Sequence, residues 1–591
     1  MILDEHAKQI QQTKVALLAS SGRISFTIDL WTDPNLNPFM AVTAHWCAND
    51  VRGNASYFSG LIAFHHTPGS HSGEQLCSHF LKIVDDYGIA HRIGLITLDN
   101  ASNNNTFMEA LERDLHRRNL GFSDDGNRIR CFPHVINLAS GAVITALKAA
   151  AADFDNFFTP ERLAELKALP NWPIYREALK RDIIGLPRSF ISSCRTSSQR
   201  RQAFQDIITE GNLKGFWIGK VAMPRENDDP NKLRNLQLLR DCETRWSSTV
   251  QMIGRYLYLL PAIKVFIQRD IEHFSDFAMT EAEIKVLTDV HQVLEVAHKA
   301  QELLSAEKTP TLSIAFPAYE IVVEKWKALR ETIPELSFAI DAGIQKIEEY
   351  MGEGRKSRIY AHAMVLNHSI KFSWFKEDQH SFGRRGVTER EWIKESNLDT
   401  TIRRSATQPL IPTATTSGSR ELTEAEKMEE AARQTEEDIK IVDLELSRWE
   451  AAPLVPMADA KNLVSFWNLS KYEFPLLYRI SMDILPAQAS AVCCERVFSS
   501  SKETCTLRRA RLQPNMLEAL QMLKYSFRQA RLSFTDNILT KEDDYVIDGL
   551  PTEEELDKLL SQGNYEEIEK IYQASNWVIT FANQLDRDES T

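Results

Sequence analysis

Ile24-Ser-Phe-Thr-Ile-Asp-Leu-Trp31 alternates apolar and polar residues, so Ile24, Phe26, Ile28 and Leu30 share one face while Asp29 points to the other. This is a strand with a carboxylate on its less apolar side. Met40-Ala-Val-Thr-Ala-His-Trp46 and the run holding Tyr57-Phe58 and Leu61-Ile-Ala-Phe64 read as two more strands, linked through turn signals at Asn49-Asp50 and Gly53-Asn54. Three strands in short succession predict an antiparallel meander. A helical pattern through Leu76, Phe80, Leu81 and Val84 then leads to the apolar strand Ile93-Gly-Leu-Ile-Thr-Leu98, which stops at Asp99-Asn100. Another helix carries Phe107, Leu111 and Leu115, and Arg128-Ile-Arg-Cys131 reads as a short fifth strand running into a helix at His134. The order β-β-β-α-β-α-β-α is that of an α/β domain.

Beyond about Thr145 the texture becomes helical almost throughout, with periodic apolar sets such as Val286, Val290, Val293 and Leu294. Ile402 to Arg420 is rich in Ser, Thr and Pro and precedes an acidic run through Glu437, the pattern of a disordered linker and a solvated helix. The expected division is therefore an amino-terminal helix over 1–22, the first part of a core over 23–145 and a helical domain over 146–377. A linker with an acidic helix follows over 378–438, then an ordered segment over 439–535 and an acidic helical tail over 536–591.

At 591 residues the chain is long enough for about four structural units, and 43% hydrophobic with 26% charged residues excludes a wholly disordered or fibrous protein. No apolar run approaches the roughly 18 residues of a spanning helix, and the amino end lacks a basic-then-apolar signal pattern, so the expectation is a soluble, intracellular chain with no membrane partner. The eight cysteines are scattered from Cys47 to Cys505 without a Cys-x-x-Cys pair, which excludes a disulfide scaffold. With 69 basic against 82 acidic residues and a net charge of −13, any contact with nucleic acid must be local. Two basic stretches could supply it: Arg176, Lys180, Arg181, Arg188, Arg195, Arg200 and Arg201, and later Arg496, Lys502, Arg508, Arg509 and Arg511. Either could equally be a solvated helix face.

Asp29 on the first strand and Asp99 at the end of the fourth converge if those strands become parallel neighbours. Each could instead be a turn or cap residue, since Asp99-Asn-Ala-Ser is itself a plausible helix start. The third candidate is Glu495, which on a helix shares a stripe with Val492 and Phe498 and so is expected on the inward face. A buried, unpaired carboxylate is costly, and a divalent cation shared with two aspartates would remove that cost. A salt bridge to Arg496 is the alternative. His65, His66, His71 and His79 have no regular ligand spacing and read as ordinary histidines.

Thr27-Ile-Asp-Leu-Trp-Thr32, Thr97-Leu-Asp-Asn-Ala-Ser-Asn103, Cys131-Phe-Pro-His134, Thr244-Arg-Trp-Ser-Ser248 and Cys494-Glu-Arg-Val-Phe-Ser499 occur in that order and resemble the hAT (hobo/Activator-type) DNA transposases. Pro475-Leu-Leu-Tyr-Arg-Ile480, Ala487-Gln-Ala-Ser490 and Leu512-Gln-Pro-Asn-Met-Leu-Glu-Ala-Leu520 are similar to that family's carboxy-terminal dimerisation region. The resemblance implies an RNase H-like core interrupted by a large all-α insertion. It implies that Asp29, Asp99 and Glu495 are the catalytic acids and the ligands of two Mg²⁺ or Mn²⁺ ions, in cut-and-paste chemistry on DNA. It further implies that Trp246 stacks on a displaced base, with Arg245, Arg496, Arg508 and Arg509 near the DNA and Trp31, Cys131 and His134 supporting the site. Without the resemblance, Trp246 reads as core. Met516, Leu520, Leu523 and Phe527 recur at helical spacing and are the expected dimerisation face. The implied partners are DNA and a second copy of the chain, the implied compartment the nucleus, and no small-molecule cofactor is expected.

Members usually carry a BED-type zinc finger ahead of the first catalytic strand, and only Met1 to Gly22 stand there in this sequence, without finger spacing. The expectation is therefore divided between a metal-dependent transposase and a transposase-derived protein that retains dimerisation and DNA association.

Overall fold

The computed structural model describes the chain except residues 34, 221–228, 243–245, 305–309, 377–423, 456–462, 506–511 and 530–591. The predicted linker lies mostly, and the acidic tail entirely, outside the described residues. Five strands form one sheet: β1 (Ile24–Thr32), β2 (Pro38–Asn49), β3 (Ala55–His66), β4 (Ile93–Leu98) and β5 (Arg128–Arg130). Their order is β3-β2-β1-β4-β5. The meander is antiparallel as expected, and β4 and β5 join it in parallel. Asp50 ties the β2–β3 turn by accepting the backbone N–H groups of Arg52 and Asn54 at 2.8 Å each, with Gly53 at φ 75° where a side chain would be strained.

Helix α1 (Ile2–Leu18) precedes the sheet, and α2 (Gly73–Tyr87) and α3 (Ser102–Arg117) cover one face of it. Phe80 of α2 stands edge-on to Phe26 of β1 at 5.3 Å and to Phe107 of α3 at 5.8 Å, filling the middle of that layer. The two helices approach closely because Gly73 has no side chain: a Cβ there would lie 2.3 Å from the Phe107 backbone nitrogen. On the other face Phe39, Ala41, Leu61 and Phe64 pack against Cys494, Val497 and Phe498 of the helix Val492–Thr504 and Leu517 and Met522 of the helix Pro514–Gln529. Both faces of β1 are therefore covered from Ile24 to Ile28, and the side bearing Asp29 is not the solvent side that simple alternation predicts.

Helix α4 (Phe132–Ala152) leaves the end of β5 and enters a helical region that runs to Val365, with no named strand among the described residues beyond β5. By length and composition α4 could cross a membrane, contrary to the expectation that no such segment exists. Here it is a core helix, packed on the helices Ser337–Gly354 and Glu281–Leu303. Glu281–Leu303 is buried on nearly all sides and starts with a capping box, in which Thr280 accepts the Glu283 N–H and Glu283 accepts that of Thr280. A helix over Glu424–Ala451 then runs across the expected 438/439 boundary without a break. Its Glu445 accepts the backbone N–H groups of Leu476 and Leu477 at 2.8 Å each, capping the helix Pro475–Ile484.

Removing the Phe80 ring should leave a cavity beneath β1. Phe80→Ala is expected to lower stability by about 3–5 kcal/mol, read as an earlier urea transition by circular dichroism. Val51→Ala, at a fully exposed turn position, should stay within about 0.5 kcal/mol of the parent.

Candidate active site

Strands β1 and β4 pair in parallel with Thr27 opposite Thr97, so two residues further along each strand Asp29 and Asp99 stand side by side at the carboxy ends. This is where open sheets with parallel strands collect their ligands. A cavity of about 100 Å³ opens between them, lined also by Ile28, Met40, Asn104 and Phe107. Asp29 accepts the Leu30 backbone N–H at 2.8 Å. Asp99 accepts the Ala101 N–H at 3.0 Å and the side-chain amide of Asn104, which holds its carboxylate at the start of α3. Arg128, nearly buried on β5, donates to the Asp99 backbone carbonyl at 3.2 Å and to Asn105. Asp99 thus sits in the turn before α3, whose N-cap is Ala101, and lines the cavity.

Glu495 lies in the first turn of the helix Val492–Thr504, with its side chain exposed. The expectation of an inward face shared with Val492 and Phe498 is corrected in this respect. Cys494, Val497 and Phe498 take the inward positions, which rotates Glu495 to the rim. Its charge still reaches Asp29. The Asp29 carboxyl is pushed up to about 8, first by burial, then by the charge of Glu495 and more weakly by that of Asp99, against the opposing Leu30 hydrogen bond. Glu495 and Asp29 also add to the burial that pushes the Cys131 thiol up to about 12. Among the described residues, however, no group of three or more His, Cys, Asp or Glu side chains is gathered closely enough to hold a metal ion as placed.

Of the residues expected to support the site, Trp31 and Cys131 touch the carboxy-terminal segment. Trp31 stacks on Phe498 with ring centres 6.0 Å apart and 15° between planes, tying β1 to the helix that bears Glu495. Buried Cys131 precedes α4, and its sulfur accepts the Ala491 N–H at 3.4 Å, a bond spanning 360 positions; His134 is half-buried in the first turn of α4. The Cys-x-x-His pattern here fastens backbone. Arg496 is half-buried. Arg245, Arg508 and Arg509 lie outside the described residues, as does the side chain of Trp246, whose backbone opens the helix Trp246–Tyr258. Leu523 is buried within the chain, Met516 and Leu520 are half-buried, and Phe527 is exposed. The first basic stretch is largely engaged inside the helical region: Arg188 pairs with buried Asp241 at 2.6 Å, Arg181 with buried Glu283 at 2.9 Å, and Arg195 donates to the Leu238 carbonyl.

Sequence reasoning missed Asn104, Arg128 and Gln488. Asn104 stands one residue past a motif already singled out, and Gln488 stands inside one, but nothing local distinguishes a buried amide from an exposed one.

Residues 27–126 match the ZBED1 RNase-like domain, and residues 445–527 match the hAT family C-terminal dimerisation region. The chain is 24% identical over 552 residues to a putative transcriptional regulator tpeD of Talaromyces stipitatus, an alignment covering 92% of this chain and 58% of that protein. It is 22% identical over 536 residues to a putative AC transposase of Zea mays, covering 88% and 58%, and 20% identical over 522 residues to zinc finger BED domain-containing protein 4 of Homo sapiens, covering 86% and 38%. The chain spans less than three fifths of the length of these relatives.

The raised Asp29 has a pH signature in chelator-treated protein. A carboxyl with a higher pKa folded than unfolded binds more protons when folded, so its contribution falls as pH rises from about 4 to about 8 and then levels. Asp29→Asn should match the parent below pH 4 and exceed it at pH 8 by at least about 1.4 kcal/mol, one pKa unit's worth. Urea transitions across that range read the difference, and parallel curves would refute the coupling.

Proposed function

We propose that this relative of the hAT transposases is built as an RNase H-like core interrupted by a helical insertion, and that it cleaves and joins DNA strands with Asp29, Asp99 and Glu495. The two matched regions and the run of relatives support the architecture. What supports the chemistry is a single observation: Asp29 and Asp99, on paired parallel strands, line one cavity, and the Asp29 carboxyl, raised first by its burial, is raised further by Glu495 and more weakly by Asp99. A fold that gathers like charge at this cost has a donor set suited to a hard divalent cation, because three carboxylates offer only oxygen and the cation offsets their repulsion. Asp29, Asp99 and Glu495 would hold Mg²⁺ or Mn²⁺. Such ions, when bound, supply Lewis-acid stabilisation to the attacking and leaving oxygens of an in-line phosphodiester displacement.

The chain's own groups orient that donor set. The Leu30 N–H fixes one oxygen of Asp29, and Ala101 and Asn104 fix Asp99. The exposed position of Glu495 leaves the cluster open on one side, as a duplex requires. A second, non-catalytic reading is favoured by exposed Glu495, which does not complete a three-ligand group with Asp29 and Asp99 among the described residues, and by one relative being described as a putative transcriptional regulator. In either reading the chain self-associates through 445–527, contacts DNA and acts in the nucleus. With a net charge of −13, unaided DNA binding is weak and salt-sensitive.

Purified protein on a labelled duplex at low salt should show Mn²⁺- or Mg²⁺-dependent nicking that Asp99→Ala reduces to background. Equal cleavage by both proteins refutes the catalytic assignment, and no cleavage by either supports the second reading. Light scattering at micromolar concentration should give at least twice the chain mass; a monomer would overturn self-association.

A further inference from the structure

Thr27 and Thr97 precede Asp29 and Asp99 by two residues, so on each strand the hydroxyl and the carboxylate occupy the same face one pleat apart. The segment 488–494 lies across that lower pleat. At its start, the Gln488 backbone carbonyl accepts the Thr97 hydroxyl at 2.6 Å. At its end, the Cys494 sulfur lies 3.3 Å from the Thr27 hydroxyl and donates to the Thr27 carbonyl at 3.4 Å. Glu495 is the next residue. The segment leading to Glu495 is thus pinned at both ends.

The pin at its start is the Gln488 side chain, which is 1% exposed. Its Nε2 donates to the Tyr57 hydroxyl at 2.6 Å, and its Oε1 accepts the Thr311 hydroxyl at 2.8 Å. Thr311 in turn accepts the Ala489 N–H at 2.9 Å, and the Ala489 carbonyl accepts the Phe132 N–H at 2.8 Å. From Tyr57 the chain of bonds continues to His45 Nδ1 at 2.8 Å, from His45 Nε2 to Thr43 at 2.9 Å, and through the Thr43–Thr27 pair back to Cys494. Burial holds His45 neutral, down to about 3, so that one ring nitrogen donates and the other accepts. The bonds therefore form a closed circuit from residue 488 through β3, β2 and β1 to residue 494.

Resting on the strand-cleavage reading, we infer that Gln488 is a positioning residue: its buried amide clamps sheet, helical region and carboxy-terminal segment together and so sets where Glu495 stands. A glutamine suits this place because it offers a donor and an acceptor at fixed separation. An apolar side chain would take one hydrogen-bond partner from each of the Tyr57 and Thr311 hydroxyls, and a carboxylate would lose the donor.

The test is Gln488→Met, close in volume and without the amide, in full-length protein with exposed Cys242 changed to Ser. Spin labels at Ser499→Cys on the Glu495 helix and Glu109→Cys on α3 report the distance between them by pulsed EPR. The expected result is a folded protein with a broadened or shifted distance distribution and Mn²⁺-dependent nicking reduced roughly 10–100-fold. A purely structural glutamine would lower thermal stability and leave the distance unchanged; that result overturns the inference. If Gln488→Met does not fold, Thr311→Val, which removes one bond from the amide and one from Ala489, must show the same broadening, and an unchanged distribution there overturns it equally. Absence of nicking by the parent protein would sink the strand-cleavage reading, while the distance measurement would still decide whether Gln488 positions the helix.

Discussion

Thr27 and Thr97 lie one pleat below Asp29 and Asp99, and residues 488–494 hydrogen-bond to both threonines. Most of what is particular to this molecule depends on that contact. A sheet with one face packed on α2 and α3 leaves its second face to be covered, and the carboxy-terminal helices cover it with Cys494, Val497, Phe498, Leu517 and Met522. Apolar burial supplies the affinity of that layer for the sheet but tolerates sliding. The hydroxyl, amide and thiol contacts have fixed directions, and a register error would leave several buried polar groups unpaired at about 1–3 kcal/mol each. The polar circuit therefore selects one placement among those that the apolar layer would accept.

That placement has an electrostatic cost. Burial of Asp29 first, and the charges of Glu495 and Asp99 after it, raise the Asp29 carboxyl, so ionised Asp29 lowers the stability of the metal-free fold near neutral pH. Proteins concentrate such like charges where function needs them. The exposure of Glu495 limits the cost.

The helical region is coupled to the same place. Helix α4 follows Cys131, whose sulfur accepts the Ala491 N–H, and Thr311, between the helices Glu281–Leu303 and Ala315–Thr332, reaches Gln488. Both the entry of the long helical excursion and a point within it therefore touch the segment that leads to Glu495. Arg188 and Arg181 of the first basic stretch are paired there with Asp241 and Glu283.

The strands, their order along the chain and the two aspartates at strand ends were legible in the sequence, because period-two alternation and turn residues are local signals. Ile93–Leu98 has the predicted bounds, and β1 differs by one residue. The five ordered motifs likewise carried the family resemblance, since short motifs need no geometry to be read. Three things were decided only by tertiary structure. Alternation could not show that the Asp29 face of β1 is covered, because its cover arrives more than 450 positions later. A helical stripe could not orient Glu495, because Cys494 and Val497 compete for the same sheet and win by packing. Gln488 could not be singled out, because an amide's hydrogen-bonding capacity is written in the sequence while its partners, Tyr57 and Thr311, are separated from it by 431 and 177 positions and meet it only when the sheet is closed.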